Sequence, residues 1–336
     1  NEENIISISN INERILKSTA IYGANASGKT NLIKAFTAAI LMVRKSNNRQ
    51  VGEKLMEMEP FAFDEKAKAE PCEFEFVFYA KGMKYIYGFI ADKEKVYEEY
   101  LYQYFTAKPT RIFERTNVNE YKFLQADEGK LNAIKTQNID NKLFLATATT
   151  WNYDKTKEPY LWFAKNIDTY SGGMLLNDFV VESYSKDEGE ELKKFTLKLL
   201  NEADIVIKDF SVEIEEHDVD SNMLMLLKNF NITSPMLPQK QRDVKIRMTH
   251  EVTNDEGNMK NYELNLNNES SGTQILFSFA PILKDVFENG KILVIDEIER
   301  SLHPSLVEMI IKFFHNPKIN KGNAQLIFNT HDTNLL

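Results

Sequence analysis

The sequence predicts an α/β fold organised around a central, mostly parallel sheet. A glycine-containing loop at 23–30 joins the apolar stretch 20–22 to a segment whose apolar residues recur at helical spacing. Continuous apolar runs at 292–295 and 326–328 each lead into polar residues, which is typical of buried parallel strands. The alternating segment 72–90 predicts an antiparallel hairpin and hence a second, antiparallel sheet.

The loop at 23–30 fits the phosphate-binding pattern G-x-x-x-x-G-K-[ST] through Gly23, Gly28, Lys29 and Thr30. Its glycines let backbone N–H groups point at phosphate oxygens, and the helix that begins near Lys29 adds its positive end. Lys29 would reach the β- and γ-phosphates, and the Thr30 hydroxyl would be a magnesium ligand. The predicted nucleotide-binding residues of the loop are Gly23, Asn25, Ala26, Ser27, Gly28, Lys29, Thr30 and Asn31.

The strand predicted at 292–295 ends at two acidic residues, Asp296 and Glu297. Asp296 is placed to hold Mg²⁺, directly or through water. Glu297 is placed to orient or deprotonate an attacking water, which is what phosphoryl transfer to water requires. Paired acids after a strand are otherwise only a solvated turn. Together with the phosphate loop they predict an ATPase that releases ADP and phosphate, with ATP and Mg²⁺ as its cofactors.

Two further segments bear on the class of ATPase. Ser270, Ser271 and Gly272 precede an apolar helix, so free N–H groups and hydroxyls there would face an anion. By itself such a segment is an ordinary helix N-cap. The run 326–328 leads to His331, which at a strand end beside the phosphate loop can sense a γ-phosphate, although a lone surface histidine is an ordinary solvated side chain.

The composition excludes several classes of protein. The 336 residues carry a net charge of −9, which argues against a uniformly basic nucleic-acid clamp, although residues 1–50 hold a local excess of lysine and arginine. Cys72 is the only cysteine, which excludes an internal disulfide or a thiolate metal cluster. No apolar run approaches the roughly 18 residues of a membrane span and no signal segment opens the chain, so we expect a cytoplasmic protein without a membrane partner.

The order of the motifs resembles that of a known superfamily. A phosphate loop, a long intervening segment, the small-residue signature, "ILVIDE", "SLHP" and "THD" follow one another as in the ABC/SMC-like P-loop ATPases. The chain is more closely similar to the bacterial RloC/OLD-like AAA family, the ATPases of abortive-infection and anti-phage defence systems such as Septu, Gabija and PARIS. That closer resemblance rests on "YGANASGKTNLIKAF", "EPFAFD", "YIYGF", "SSGTQ", "IDEIERSLHP" and "NTHDTNLL".

The resemblance implies an ABC-type ATPase head that forms a head-to-head homodimer, or a higher oligomer, with ATP sandwiched between subunits. One subunit would supply its phosphate loop, Asp296, Glu297 and His331, while residues 270–272 of the other would contact the γ-phosphate. The residues that would lie at the dimer interface are Arg300, Ser301 and His303. The alternative for this segment is a packed helix start with Pro304 near its first turn.

The predicted domains are an N-terminal ATPase lobe at 1–104, an inserted mixed or helical lobe at 105–240 and a C-terminal ATPase lobe at 241–336. A third antiparallel strand at 94–105 belongs with the first lobe, and a helix at 191–200 with the second. The glutamine that links phosphate to the inserted lobe in the family has no assignable counterpart. Because the chain starts without methionine and stops just after "NTHD", we expect a longer polypeptide with a further C-terminal region.

Three functions compete. The leading hypothesis is a sensor or regulatory ATPase of an anti-phage defence system, whose nucleotide state gates an effector nuclease in a partner chain or a fused C-terminal domain. The second is a RecF-like DNA-repair ATPase that acts directly on DNA, and it predicts a basic channel and DNA-stimulated turnover. The third is an ATP-binding scaffold with little turnover, against which Glu297 counts. Nucleic acid is a candidate partner under the first two hypotheses.

Overall fold

The computed structural model describes residues 2–8, 13–171, 178–185, 189–218, 240–253, 257–300, 302 and 304–331. Its strands are β1 Ile5–Ile8, β2 Glu13–Leu16, β3 Ser18–Ile21, β4 Cys72–Ala80, β5 Met83–Ala91, β6 Val96–Gln103, β7 Thr110–Thr116, β8 Glu120–Phe123, β9 Ile167–Ser171, β10 Asp209–Asp218, β11 Lys240–Thr253, β12 Met259–Asn265, β13 Ile292–Asp296 and β14 Gln325–Asn329. Its α-helices are α1 Lys29–Lys45, α2 Glu65–Ala69, α3 Glu128–Lys135, α4 Phe144–Thr150, α5 Asp154–Lys165, α6 Asp178–Ser185, α7 Gly189–Glu202, α8 Ser271–Asn289 and α9 Pro304–His315. Over these residues, no helix has both the length and the apolar character needed to cross a bilayer.

The central sheet consists, among the described residues, of four parallel strands in the order β3–β14–β13–β9. Leu293 and Val294 of β13 are fully buried, as the continuous apolar run predicts. Asn329 at the end of β14 lies opposite Ile21 at the end of β3, so both strands stop at the same edge. The predicted parallel sheet is confirmed, and its carboxyl edge is the place where open α/β sheets bind ligands.

The second sheet is antiparallel, with its strands in the order β4–β5–β6–β7–β8. The predicted hairpin and third strand are confirmed, since β4 turns into β5 at Lys81–Gly82 and β6 pairs with β5. β7 and β8 lie outside the strands that the sequence predicted. In β7 the neighbours Ile112 and Phe113 are both buried, and the pairing with β6 shifts between Leu101 and Tyr102. Because buried and exposed residues do not alternate regularly along β7, the strand could not be predicted from the periodicity of its apolar residues.

Aromatic side chains fill the core between α5 and the antiparallel sheet. Phe78 stacks on Trp162 with 4.0 Å between ring centroids, and Phe76 meets Phe163 edge-on at 5.1 Å. Tyr87 is fully buried and packs against the same Phe163 ring. These large rings bury much apolar surface, which explains the aromatic-rich sequence of the strands by packing.

The chain divides into two compact units, of which the first contains residues 1–171, 289–297 and 314–333. It holds the parallel sheet and the five-stranded sheet. This unit also contains β7, β8 and β9, which lie within the stretch 105–240 that was predicted as the inserted lobe. Its extent therefore differs from that of the predicted lobes. β9 pairs with β13, a strand far away in the sequence, so local composition did not place it.

The second unit holds the antiparallel sheet β10–β11–β12 together with α6, α7, α8 and most of α9. The predicted helix at 191–200 is confirmed as α7, with Leu192 and Leu199 buried. Tyr184 stacks on Phe277 at 4.7 Å, and its hydroxyl donates to the Phe277 carbonyl at 3.0 Å. This unit therefore mixes helices and strands around its own core.

Candidate nucleotide site

The phosphate loop connects β3 to α1, and Gly28 provides the left-handed backbone conformation at its end. Gly28 has a φ of 95°, in the left-handed region that favours glycine. A Cβ atom at Gly23 would lie 2.5 Å from the Ser27 hydroxyl oxygen, so the Ser27 side chain would have to rotate away to make room for it. The Ser27 N–H donates to the Ala24 carbonyl at 3.2 Å and closes the turn. The exposed members of the predicted nucleotide-binding set are Gly23, Asn25, Ala26, Ser27, Gly28 and Asn31.

Lys29 is the first residue of α1 and is buried, with only 8% of its surface exposed. Its ammonium donates to the Gly23 carbonyl at 2.7 Å and to the Ala24 carbonyl at 2.9 Å. The side chain therefore folds back against the loop. An ammonium has three donors, so two contacts with the loop leave it the capacity to bind a phosphate oxygen.

The two residues predicted to hold Mg²⁺ meet although 266 positions separate them in the sequence. The Thr30 hydroxyl donates to Asp296 Oδ1 at 3.1 Å, which joins the start of α1 to the end of β13. A hydroxyl and a carboxylate are the hard oxygen ligands that Mg²⁺ prefers. Within the described residues no cluster of three or more His, Cys, Asp or Glu side chains forms a cage for a metal. The pair suits an ion whose remaining ligands are phosphate oxygens and water, and Thr30 and Asp296 would hold it.

Glu297 and His331 lie beside each other at the same edge of the sheet. Glu297 Oε1 is 3.8 Å from His331 Nε2, and the side chains are 33% and 40% exposed. Glu297 has a φ of 50°, a left-handed conformation that is uncommon outside glycine. Glu297 directly follows β13, and His331 lies two residues after the end of the neighbouring strand β14. A carboxylate and an imidazole in reach of solvent can accept a proton and contact a phosphate oxygen.

Asn329 is the residue of this site that sequence reasoning missed. It is fully buried at the end of β14, and its side-chain Nδ2 donates to Asp296 Oδ1 at 2.5 Å. Its Oδ1 accepts the backbone N–H of Glu297. The one signal in the sequence is a polar residue that ends an apolar strand directly before "TH". The structure thus brings Thr30, Asp296, Glu297 and His331 together and adds Asn329 among them.

The predicted signature begins α8 in the second unit. The Ser270 hydroxyl accepts the Thr273 N–H at 3.2 Å, so Ser270 is the N-cap of this helix. Ser271 is exposed and Gly272 half-buried. Glu269 precedes the signature, and its Oε1 lies 2.6 Å from Nε2 of His250 in β11, within hydrogen-bonding distance. The sequence did not suggest this contact. The capping role of this segment is observed, and contact with a nucleotide of another subunit stays a prediction.

The predicted interface segment falls largely outside the described residues. Ser301 and His303 lie there, as does Asp332 of "THD", and the backbone of Arg300 ends a short 3-10 turn over Ile298–Arg300. α9 begins at Pro304, which confirms the helix start proposed for this segment. A role for these residues at a dimer interface stays a prediction.

A phosphate loop and a strand-end Asp-Glu pair at one edge of a parallel sheet define a P-loop nucleotide-binding protein. Residues 18–336 match the family described as "AAA domain, putative AbiEii toxin, Type IV TA system", and the chain belongs to this family. The predicted relation to the P-loop ATPases of abortive-infection systems is thereby confirmed. No curated protein matches the chain in sequence.

Among solved structures, the chain is similar to heads of SMC proteins. The SMC head domain from Thermotoga maritima has 16% identity and a TM-score of 0.38, with 96% of this chain and 84% of that chain covered. An SMC head bound to the C-terminal winged-helix domain of ScpA has 14% identity and a TM-score of 0.33, with coverage of 96% and 87%. The head from Pyrococcus furiosus, bound to the C-terminal domain of ScpA, has 11% identity and a TM-score of 0.30, with coverage of 96% and 86%.

Proposed function

We propose that this chain binds Mg²⁺ and ATP at the carboxyl edge of the parallel sheet and hydrolyses the ATP to ADP and phosphate. The observation that carries the proposal is the contact between the Thr30 hydroxyl and Asp296, with Glu297 and His331 next to it. It joins the end of the phosphate loop to Asp296, the residue directly before Glu297. A phosphate loop alone supports binding, whereas the added acids support attack by water.

Each side chain has a distinct task in this mechanism. The N–H groups of residues 23–28 and the ammonium of Lys29 bind the phosphates and hold the γ-phosphorus in line with water. When bound by Thr30 and Asp296, Mg²⁺ supplies positive charge that stabilises the charge developing on the phosphate oxygens. Glu297 accepts the proton of the attacking water, and His331 contacts the γ-phosphate beside it. Their 3.8 Å separation lets both act on one phosphate group.

The water-activating role is tested by the substitution Glu297→Gln. Glutamine keeps the size of the side chain but cannot take up a proton, so turnover is expected to fall at least about a hundredfold while ATP still binds. Steady-state phosphate release and equilibrium binding of a fluorescent ATP analogue measure the two effects. Glu308→Gln, on the exposed side of α9, serves as the control and should leave both unchanged. Undiminished hydrolysis in Glu297→Gln would remove this residue from the mechanism.

We further propose that the chain is the sensor or regulatory ATPase of a bacterial anti-phage system and gates an effector nuclease as a head-to-head dimer. The family description, which names a putative AbiEii toxin and a type IV TA system, supports a place in a system of this kind. The same variant tests it, because Glu297→Gln would keep ATP in place and prolong the ATP-bound dimer. The full-length protein, purified with the product of its neighbouring gene, should then hold a nuclease whose activity differs between ATP and ADP. A nuclease that responds equally to both nucleotides would contradict the gating role.

A further inference from the structure

Asn329 contacts both acidic residues of the proposed site through one side chain. Nδ2 donates to the Asp296 carboxylate at 2.5 Å, and Oδ1 accepts the Glu297 backbone N–H. The Asn329 side chain is fully buried. A buried amide is costly unless its donor and acceptor groups are paired, so both contacts matter for its presence at this position.

The two contacts restrain different features of the acids. Asp296 Oδ1 receives the Thr30 hydroxyl as well as the Asn329 amide, so that carboxylate oxygen is held from two sides. Glu297 adopts a φ of 50°, and such a conformation persists only when its surroundings enforce it. The hydrogen bond from the Glu297 N–H to Asn329 is a direct restraint of this kind. One side chain on β14 therefore bonds to both acidic residues at the end of β13.

We propose that Asn329 is a positioning residue that aims the Asp296 oxygen at Mg²⁺ and the Glu297 carboxylate at the attacking water. The inference deepens the proposed function and rests on it for the turnover that it predicts. A displacement of about 1 Å in a reacting group can cost about a hundredfold in rate, so loss of these restraints should reduce kcat more than nucleotide affinity.

The chain offers a matched control in Asn320. It is also buried, at 2% exposure, and its amide makes three hydrogen bonds, to the Phe314 carbonyl at 2.8 Å and to the carbonyl and N–H of Ala324 at 2.9 and 2.6 Å. These bonds stabilise the turn before β14 and touch none of the site residues. Asn329→Leu and Asn320→Leu therefore each remove a buried, hydrogen-bonded amide. Only the amide of Asn329 contacts Asp296 and Glu297.

We expect Asn329→Leu to lower kcat at least about tenfold, with affinity for a fluorescent ATP analogue at saturating Mg²⁺ within about threefold of wild type. Asn320→Leu should keep kcat within about threefold of wild type, even if its unfolding midpoint falls by as much as that of Asn329→Leu. Unchanged kcat in folded Asn329→Leu, or equal losses of kcat in both variants, would overturn the inference.

Two measurements on the same proteins do not depend on turnover. In nucleotide-free protein, hydrogen exchange of the Glu297 amide should quicken in Asn329→Leu and not in Asn320→Leu. The Mg²⁺ concentration that half-saturates ATP-analogue binding should rise at least about threefold in Asn329→Leu alone. If wild-type protein binds Mg²⁺ and ATP but does not hydrolyse it, the proposed hydrolysis fails, and these two results still decide the role of Asn329. Wild-type exchange and wild-type Mg²⁺ dependence in Asn329→Leu would refute it.

Asn329→Asp separates the two contacts. The introduced carboxylate keeps an acceptor for the Glu297 N–H but replaces the donor that faces Asp296. We expect slow exchange of the Glu297 amide to persist while kcat falls, because two carboxylates then face each other. Wild-type kcat in this variant would refute the part of the inference that concerns Asp296.

Discussion

The side chain of Lys29 illustrates how a single residue is prepared for a ligand. Its ammonium is buried against the Gly23 and Ala24 carbonyls, at 2.7 and 2.9 Å. Those carbonyls compensate part of the cost of burying the charge and fix its place at the start of α1. A phosphate bound by the loop would meet a charge that is already in position, so little side-chain ordering remains to be paid for on binding.

At this scale we expect Lys29→Ala to weaken binding itself. A hydrogen bond to a charged group contributes about 1.5–3 kcal/mol, which corresponds to about a ten- to hundredfold loss of ATP affinity. Titration with a fluorescent ATP analogue measures it. Lys34→Ala is the control, because Lys34 is exposed on the same helix. Normal affinity after loss of the Lys29 ammonium would count against the phosphate-loop assignment.

Among the elements, β13 depends on the turn that precedes it. Gly290 follows α8, has a φ of 62° and approaches Gly322 so closely that a Cβ atom would lie 2.2 Å from the Gly322 carbonyl oxygen. Both the conformation and the space therefore demand glycine. The turn starts the strand that ends at Asp296 and Glu297, so its geometry helps to position the site.

We expect Gly290→Ala to destabilise the protein by about 2–4 kcal/mol, as the sum of a left-handed alanine and a backbone clash. Gly129 is the contrasting position, since it lies within α3 and a Cβ atom there meets nothing within 4 Å. Gly129→Ala should leave stability unchanged or raise it by up to about 1 kcal/mol. Urea unfolding curves decide between them, and equal midpoints for the two variants would contradict this account of the turn.

At the scale of the whole molecule, the phosphate loop and the signature belong to different compact units. The signature caps α8 through Ser270, while Ser271 stays exposed. Under the proposed dimer, the signature of one subunit completes the site of the other. Ser271→Arg should then abolish turnover through bulk and charge beside the partner's γ-phosphate, and leave ATP binding by the monomer nearly intact.

Mixing two inactive variants tests that arrangement. In a heterodimer of Ser271→Arg with Lys29→Ala, both lesions fall on one composite site, so the other site is whole and phosphate release should return in part. Heterodimers of each variant with wild type control for a requirement that both sites act together, since such a pair would lose activity with either partner. If these controls are active and the mixed heterodimer is not, the signature does not act across subunits.

Local patterns in the sequence determined much of this protein. The phosphate loop was predictable because its pattern of glycines, lysine and threonine is contiguous in the sequence, and Gly28 has the left-handed conformation that favours glycine. β13 was predictable because a continuous apolar run indicates a strand that is buried on both faces. The hairpin was predictable because alternating apolar residues indicate strands that are buried on one face. The contact between Thr30 and Asp296 followed as an expectation from the chemistry of Mg²⁺, and the structure places the two oxygens 3.1 Å apart.

Only the tertiary structure decided what depends on pairing between distant segments. β9 joins the parallel sheet next to β13, and β7 pairs with β6 across a register shift that leaves Ile112 without an opposite residue, because hydrogen bonds across a sheet do not depend on nearness in sequence. Asn329 looked like an ordinary polar strand end. Its contacts depend on the pairing of β14 with β13. A short side chain at the end of β14 can reach Asp296 and Glu297 only because the two strands run side by side.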